Sequence, residues 1–484
     1  NNCITDNSCY AVASGTSFAA PFVSGGLAVI ADHFEGQLGS QEIVSRLFAT
    51  ANKNGVYADK AIYGQGLMDL NAATEPVGQV SAMMSLSLSG PMTPAIFSNI
   101  QLTSPSFGDA ISNGIGDHSI IFFDELDAPF RRSLGSLTSD YRNQIINMDG
   151  YESMQTPISH TVTSGETELE IGGLQTHTFS QELVTPYHLL NARADKNEFF
   201  SYYNYSNNSF LSHGLNGSWA MGVFQDSELR SKKSLRSQFS NPWLNFSASG
   251  TTFGSTFQGL QGFDIAVALS SGRNKFEANE IFGERNSSTV ALLEIQPKSS
   301  MPSFQLGVMK ENDASLGLSG SGAFNGSNNQ LTSFAGLSNS MNLMGGKLFG
   351  SFYWGKSNGI SNELGMIKSL SNLYSSAFGV GFLKSSIFNN VDSFIVTIDQ
   401  PIRIESGALQ LNVPTYRTKE KNVLFHSMSL DLDPSGREVH TKAQYFSSYK
   451  NVGFGLTLGY KSDPYHIKFM DDYLYMSLGF NIGF

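Results

Sequence analysis

The final stretch of the chain, LYMSLGFNIGF, alternates without a break. Leu474, Met476, Leu478, Phe480, Ile482 and Phe484 fall on one side of an extended backbone, and Tyr475, Ser477, Gly479, Asn481 and Gly483 on the other. The stretch before it repeats the pattern, with Val452, Phe454, Leu456, Leu458 and Tyr460 against Gly453, Gly455, Thr457, Gly459 and Lys461. Similar segments recur upstream at NPWLNFSASG, DIAVALSS, TVALLEIQP, SFQLGVMKE, TSFAGLSN, KLFGSFYWG, SAFGVGFLK, SFIVTIDQPIRI, ALQLNVP and VHTKAQYFSSY, with Gly, Asn, Ser and Asp between them. Such a series folds either as a soluble β-sandwich or as a membrane barrel. In a sandwich the apolar face turns inward; in a barrel it meets lipid, and the small and polar face lines the interior. Closure leaves no unpaired edge in the bilayer. Residues 201–484 provide for about 12 strands of roughly 9–11 residues with their loops, and the last strand ends on an aromatic residue with no tail. We therefore expect an antiparallel outer-membrane β-barrel over 201–484.

Composition agrees. Of 484 residues only 15 % are charged and 12 % are aromatic, with 36 Phe and 48 Gly. That is ordinary for a turn-rich β chain, membrane barrels included. The formal charge of −11, from 30 basic and 41 acidic residues, argues against nucleic acid as a partner. The sequence has no apolar run of about 18 residues that would suggest a spanning helix.

The beginning has another texture. SFAAPFVSGGLAVIADHF (17–34) is almost wholly apolar or small and reads as a buried helix, with Pro21 in its first turn. SQEIVSRLFATA reads as a second helix with Ser40 as N-cap and Ile43, Leu47 and Phe48 on one face. YGQGLMDLNAAT follows, with Gly64 and Gly66 as turn residues. Residues 76–200 are mixed and read as a linker or stem, within which FGDAISNGI suggests a short helix and HSIIFFDEL a strand. Cys3 and Cys9 are either two free thiols or a short-loop disulfide, and the disulfide reading implies an oxidising compartment. The opening NNCITDNSCY has neither Met, basic n-region nor apolar h-region, so it reads as the interior of a domain whose start lies upstream.

Gly15-Thr16-Ser17, followed by Ala19, Pro21, Val23 and Gly25, resembles the nucleophile segment of subtilisin-like serine proteases, the subtilases. A Ser hydroxyl needs a base to take its proton and donors for the oxyanion. A helix that starts at the Ser supplies one donor, the residue's own N–H, together with the positive end of the helix dipole. The resemblance implies that Ser17 is the nucleophile and that Gly15, Thr16, Ala19, Pro21 and Gly25 support it. The family usually has a His after the Pro, where this chain has Phe22; that His is not the base. YGQGLMDLNAA resembles the end of a subtilase domain, so the likeness covers about residues 1–75, the C-terminal piece of an α/β protease domain. The phrases FGDAI…FFDELDAPFRRSL, NPWLNFSASG, DQPIRIESGALQL and LDLDPSGREV resemble the autotransporter branch of the family, in which a protease passenger is followed by a linker and a C-terminal barrel.

In subtilases the Asp, the His and the second oxyanion donor, an Asn, precede the Ser. Residues 1–16 hold no such set, and Asp6 reads as a turn residue. Asp32 and His33 lie some four turns along the Ser17 helix and cannot be its partners. We expect the triad His and Asp upstream of residue 1, and this piece alone to be inactive. The remaining His residues are scattered, show no metal-ligand spacing, and read as surface or lumen residues. Arg403, Glu405, Arg437 and Glu438 read either as rim salt bridges or as a network around a segment threading the barrel.

The expected function is a serine endopeptidase displayed or secreted through its own barrel, without cofactor or metal. Its expected partners are protein substrates, outer-membrane lipid and the barrel-assembly machinery of a Gram-negative cell. The alternative is an outer-membrane translocator or pore module carrying a degenerate protease remnant.

Overall fold

The computed structural model describes residues 14–83, 92–94, 98–139, 155–164, 167–177, 182–194, 197–204, 222–247, 249–260, 262–273, 287–298, 301–326, 329–362, 365–449 and 452–482. Two compact units divide the chain. One gathers residues 1–98, 117–136 and 412–427; the other holds 99–116, 137–411 and 428–484.

The second unit is dominated by one fifteen-stranded sheet, antiparallel from neighbour to neighbour. Eleven of its strands lie between Ser249–Leu260 and Tyr473–Ile482, in sequence order apart from short strands inside the connections. The sheet continues through four more over Gln155–Ser164, Thr167–His177, Glu182–Ala194 and Asn197–Asn204. Among the described residues the two edge strands, Gln155–Ser164 and Tyr473–Ile482, are not paired with each other.

Burial along these strands is inverted relative to a soluble sandwich. In Ser303–Glu311, Ser303, Gln305 and Glu311 are buried, while Phe304, Leu306 and Val308 stand 49 %, 54 % and 43 % exposed. In Gly346–Ser357, Ser351, Tyr353 and Ser357 are buried and Phe352 and Trp354 are exposed. The terminal strand exposes Leu474, Met476, Leu478 and Phe480. A soluble sheet with this register would hold its apolar face in water; a bilayer reverses the sign of that cost. The connections are also unequal. Residues 312–329, 358–372, 407–438 and 463–472 join strands at one end of the sheet, whereas Met344-Gly345 joins two at the other. Both of these turn residues have positive φ (51° and 73°), as a two-residue type I′ hairpin requires. At that other end residues 386–392 also join two strands, so its connections are shorter than those of the first end, the usual division in membrane barrels. Among the described residues no helix is long and apolar enough to cross a membrane.

The buried polar face is covered by helical turns over residues 222–247. Val223, Phe224, Leu229, Leu235 and Phe239 pack on Phe349, Leu383 and Ile395 of the strands. Trp243 stacks on Phe334 with ring centroids 4.6 Å apart. Gly355 makes room for this ring, since a Cβ there would sit 2.3 Å from Trp243 Cζ2. NPWLNFSASG is thus not a strand throughout: Pro242–Ser247 is a helical turn, and the strand begins at Ser249. The stacking that decides this is a long-range contact which local alternation does not encode.

In the first unit, α1 spans Thr16–His33 and α2 spans Ser40–Thr50. Ile30, Phe34, Leu38, Ile43, Leu47 and Ala73 form a core with Ala128, and Phe130 packs against it. Gly26 brings α1 onto Met68: a Cβ there would lie 2.3 Å from Met68 Sδ. Four readings change. The first half of α1 is exposed rather than buried, with Phe18 58 % and Phe22 74 % accessible, because no described residue packs on it. Pro21 is the sixth helical residue, not a first-turn one, and its absent N–H leaves the Ser17 carbonyl without an i→i−4 partner. Gly39, not Ser40, caps α2. Phe48 points out, 44 % exposed, and Arg46 takes the buried position on that helix. The predicted FGDAISNGI helix and HSIIFFDEL strand appear as Ala110–Ile115 and Ser119–Phe123.

Candidate active site

Ser17 is the second residue of α1 and lies on the surface. Gly15 precedes the helix at φ 155°, ψ 154°, a backbone combination open essentially to Gly. The N–H groups of a first helical turn have no intrahelical acceptor. Phe18 N–H turns back onto the Gly15 carbonyl at 3.0 Å. Ser17, the second helical residue, has its backbone N–H in that first turn, at the positive end of the helix dipole. Thr16, Ala19, Pro21 and Gly25 line the exposed half of α1; among the described residues nothing lies within 4 Å of where a Gly25 Cβ would sit. The close helix approach among the described residues falls at Gly26 instead.

Asp32 and His33 end the same helix, about 22 Å from Ser17 at a rise of about 1.5 Å per residue. His118 and His426 are both exposed, with ring centroids 5.8 Å apart. His466 is fully buried, which corrects its reading as a surface or lumen residue. Its Nδ1 accepts from the Glu438 N–H (2.9 Å) and its Nε2 lies 3.1 Å from the Ile402 carbonyl. Burial pushes its pKa down to about 3, so this imidazole is neutral and structural. His440 is also buried, 2.7 Å from the Tyr475 hydroxyl. The side chains of His160, His177, His188 and His213 lie outside the described residues, as do Cys3 and Cys9 with their proposed disulfide. Among the described residues no group of three or more His, Cys, Asp and Glu could hold a metal.

Of the two readings of the charged residues late in the chain, the rim network is the one formed. Arg403 reaches Glu405 at 2.7 Å and the carbonyls of Pro434 and Gly436, and Arg437 reaches Glu405 at 2.6 Å. Glu438 accepts from the Tyr465 N–H. Other charged residues of the strands meet the 222–247 segment: Glu294, fully buried, accepts from the Gly222 N–H (2.7 Å) and from Gln225 (2.8 Å), Lys347 pairs with Asp226, and Asp399 accepts from Gln238.

Sequence reading also missed two buried cations. Arg46 is enclosed between the rings of Phe34 and Phe130, pairs with Asp124 at 2.7 Å and donates to the carbonyls of Ala73 and Glu75. Arg417 is fully buried against Glu42 at 2.6 Å. The available signal for Arg46 was its place in the same helical period as Ile43 and Leu47.

Comparison with known proteins bears on this segment. Residues 4–66 match the Subtilase family. No curated protein sequence matches the chain. Among solved structures, similarity is found to OmpT, an outer membrane protein of Vibrio cholerae in its trimer form (8 % identity, 64 % of this chain and 80 % of that one, TM-score 0.36). It is found also to an anion-selective porin from Comamonas acidovorans (8 %, 69 % and 89 %, 0.35) and to the beta domain of the Bordetella autotransporter Brka (6 %, 68 % and 97 %, 0.18). At these TM-scores the fold rests on the strand pairing and burial given above. The chain thus joins a stretch, residues 4–66, that is similar to the Subtilase family to later strands that make a large antiparallel sheet of barrel type.

Proposed function

We propose that the chain carries the nucleophile end of a serine endopeptidase on an outer-membrane barrel. The domain boundaries we assign are 1–75 for the protease piece, 76–200 for the linker and 201–484 for the barrel. Ser17, at the free end of α1 within the subtilase-family match, is the observation that carries the enzymatic reading. Its Oγ attacks a peptide carbonyl as a His takes its proton, and the tetrahedral oxyanion forms against the Ser17 N–H. Collapse expels the amine, protonated by the same His, and leaves an acyl-enzyme that water hydrolyses. The His and its orienting Asp are those the family places before the serine. The partners are protein or peptide substrates, the lipid against the apolar strand faces, and the barrel-assembly machinery.

The test is casein or peptide hydrolysis by protein that includes that His and Asp. Ser17→Ala lowers turnover by on the order of 10⁶-fold, the scale of losing a triad serine, and leaves barrel assembly unchanged by heat-modifiable gel mobility. Undiminished hydrolysis by the Ala variant refutes the assignment. The alternative, a translocator with an inactive remnant, predicts no hydrolysis by the same protein.

A further inference from the structure

The first compact unit is not made from contiguous sequence. Its third component, residues 412–427, is the tip of a hairpin formed by Ala408–Arg417 and Val423–Asp431, the outer ends of whose strands belong to the sheet-bearing unit. The turn is defined by Thr418 N–H to the Asn422 carbonyl (2.8 Å) and by Lys421 at φ 68°. We propose that this hairpin tip is a built-in dock for the subtilase-family segment, and that it holds the segment when the chain between them is cut. The proposal is independent of catalysis at Ser17 and goes beyond it, since it concerns whether the protease piece is shed or kept.

Two separate grips carry it. The first is polar. Arg417 is fully buried and engages Glu42 with both terminal nitrogens, at 2.6 and 3.2 Å. It donates as well to the Gln37 carbonyl, and its own backbone N–H reaches Gln37 Oε1 at 3.1 Å. Lys421 adds a second cation 2.9 Å from Glu42 and 3.4 Å from Asp127. The Glu42 carboxylate also receives the Gly39 N–H at the start of α2 (2.8 Å), so the dock completes the end of that helix. A two-pronged guanidinium–carboxylate pair is strong and geometrically exacting, and with Arg417 buried and Glu42 only partly exposed it is screened less by salt than a surface pair. The second grip is apolar. Val423, 6 % exposed, and Phe425 pack on Met83, Ile121 and Phe123. None of these contacts is made through the intervening chain, which separates Glu42 from Arg417 by 375 positions. Severing that chain removes the covalent path and leaves both grips in place.

The experiment places a recognition sequence for a site-specific protease within residues 84–91 of the full chain in detergent, so that the released piece lies wholly within the first unit. After cutting, size-exclusion chromatography follows the fragment that contains residues 14–83. Co-elution with the remainder is expected, at low salt and at 1 M salt alike. Arg417→Met and, through the apolar grip, Val423→Asp are each expected to speed release at least ten-fold. Heat-modifiable mobility of the remainder verifies that each variant retains its sheet. Separation of the fragment from the unmodified protein on cutting overturns the proposal, as does retention by both variants equal to that of the original.

Discussion

Arg46 occupies a position where a helix normally places an aliphatic residue. Its charge is tolerated because every polar direction is answered: Asp124 on one side, two carbonyls on the others, and aromatic faces above and below. Asp124 is equally committed, accepting the N–H groups of Val77, Leu126 and Ala128. Removing one member of such a buried pair strands the other charge, at a cost of about 3–5 kcal/mol. Arg46→Ala should therefore lower the unit's stability by that amount, read by pulse proteolysis in urea; a loss under about 1 kcal/mol would show the pair to be incidental. Neither Arg46 nor Arg417 was legible as a core residue. A single cation in an apolar period looks the same on paper whether it is solvated or enclosed, and the enclosing partners come from positions far along the chain. Ser17 was legible because its role is written in neighbouring residues.

At the scale of elements, α2 shows how a helix end depends on distant chain. Burial raises the Glu42 pKa, but hydrogen bonds from Arg417, Gly39 N–H and Lys421 outweigh it and hold the carboxyl at about 2, below its ordinary 4.5. A depressed folded-state value stabilises the fold above pH 4.5, and that contribution disappears as pH falls from 4.5 through 2. Urea unfolding of the first unit should weaken across that window, and Glu42→Gln should flatten the dependence. An unchanged slope in the Gln variant would assign the acid sensitivity to other carboxylates. Elements whose periodicity is local were read well: the alternation at 474–480 and 303–311 is the observed pattern of faces. Elements set by remote partners were not. Pro242–Ser247 turns because Trp243 stacks on Phe334, and the first half of α1 is apolar without being covered.

At the scale of the molecule, the sheet presents its apolar side outward and fills its polar side with residues 222–247. The alternation predicted two faces, and the burial shows which of them is outside. The three tryptophans make this testable. Trp354 is 43 % exposed among the outward apolar residues, Trp243 is fully buried against the polar side, and Trp219 lies outside the described residues. Two variants, each retaining only Trp354 or only Trp243 with the other two replaced by Phe, can be refolded into vesicles whose acyl chains carry bromine. If the sheet spans the bilayer, the fluorescence of Trp354 is strongly quenched and that of Trp243 is nearly unaffected. Equal quenching of the two, or none at Trp354, would contradict the membrane-barrel account.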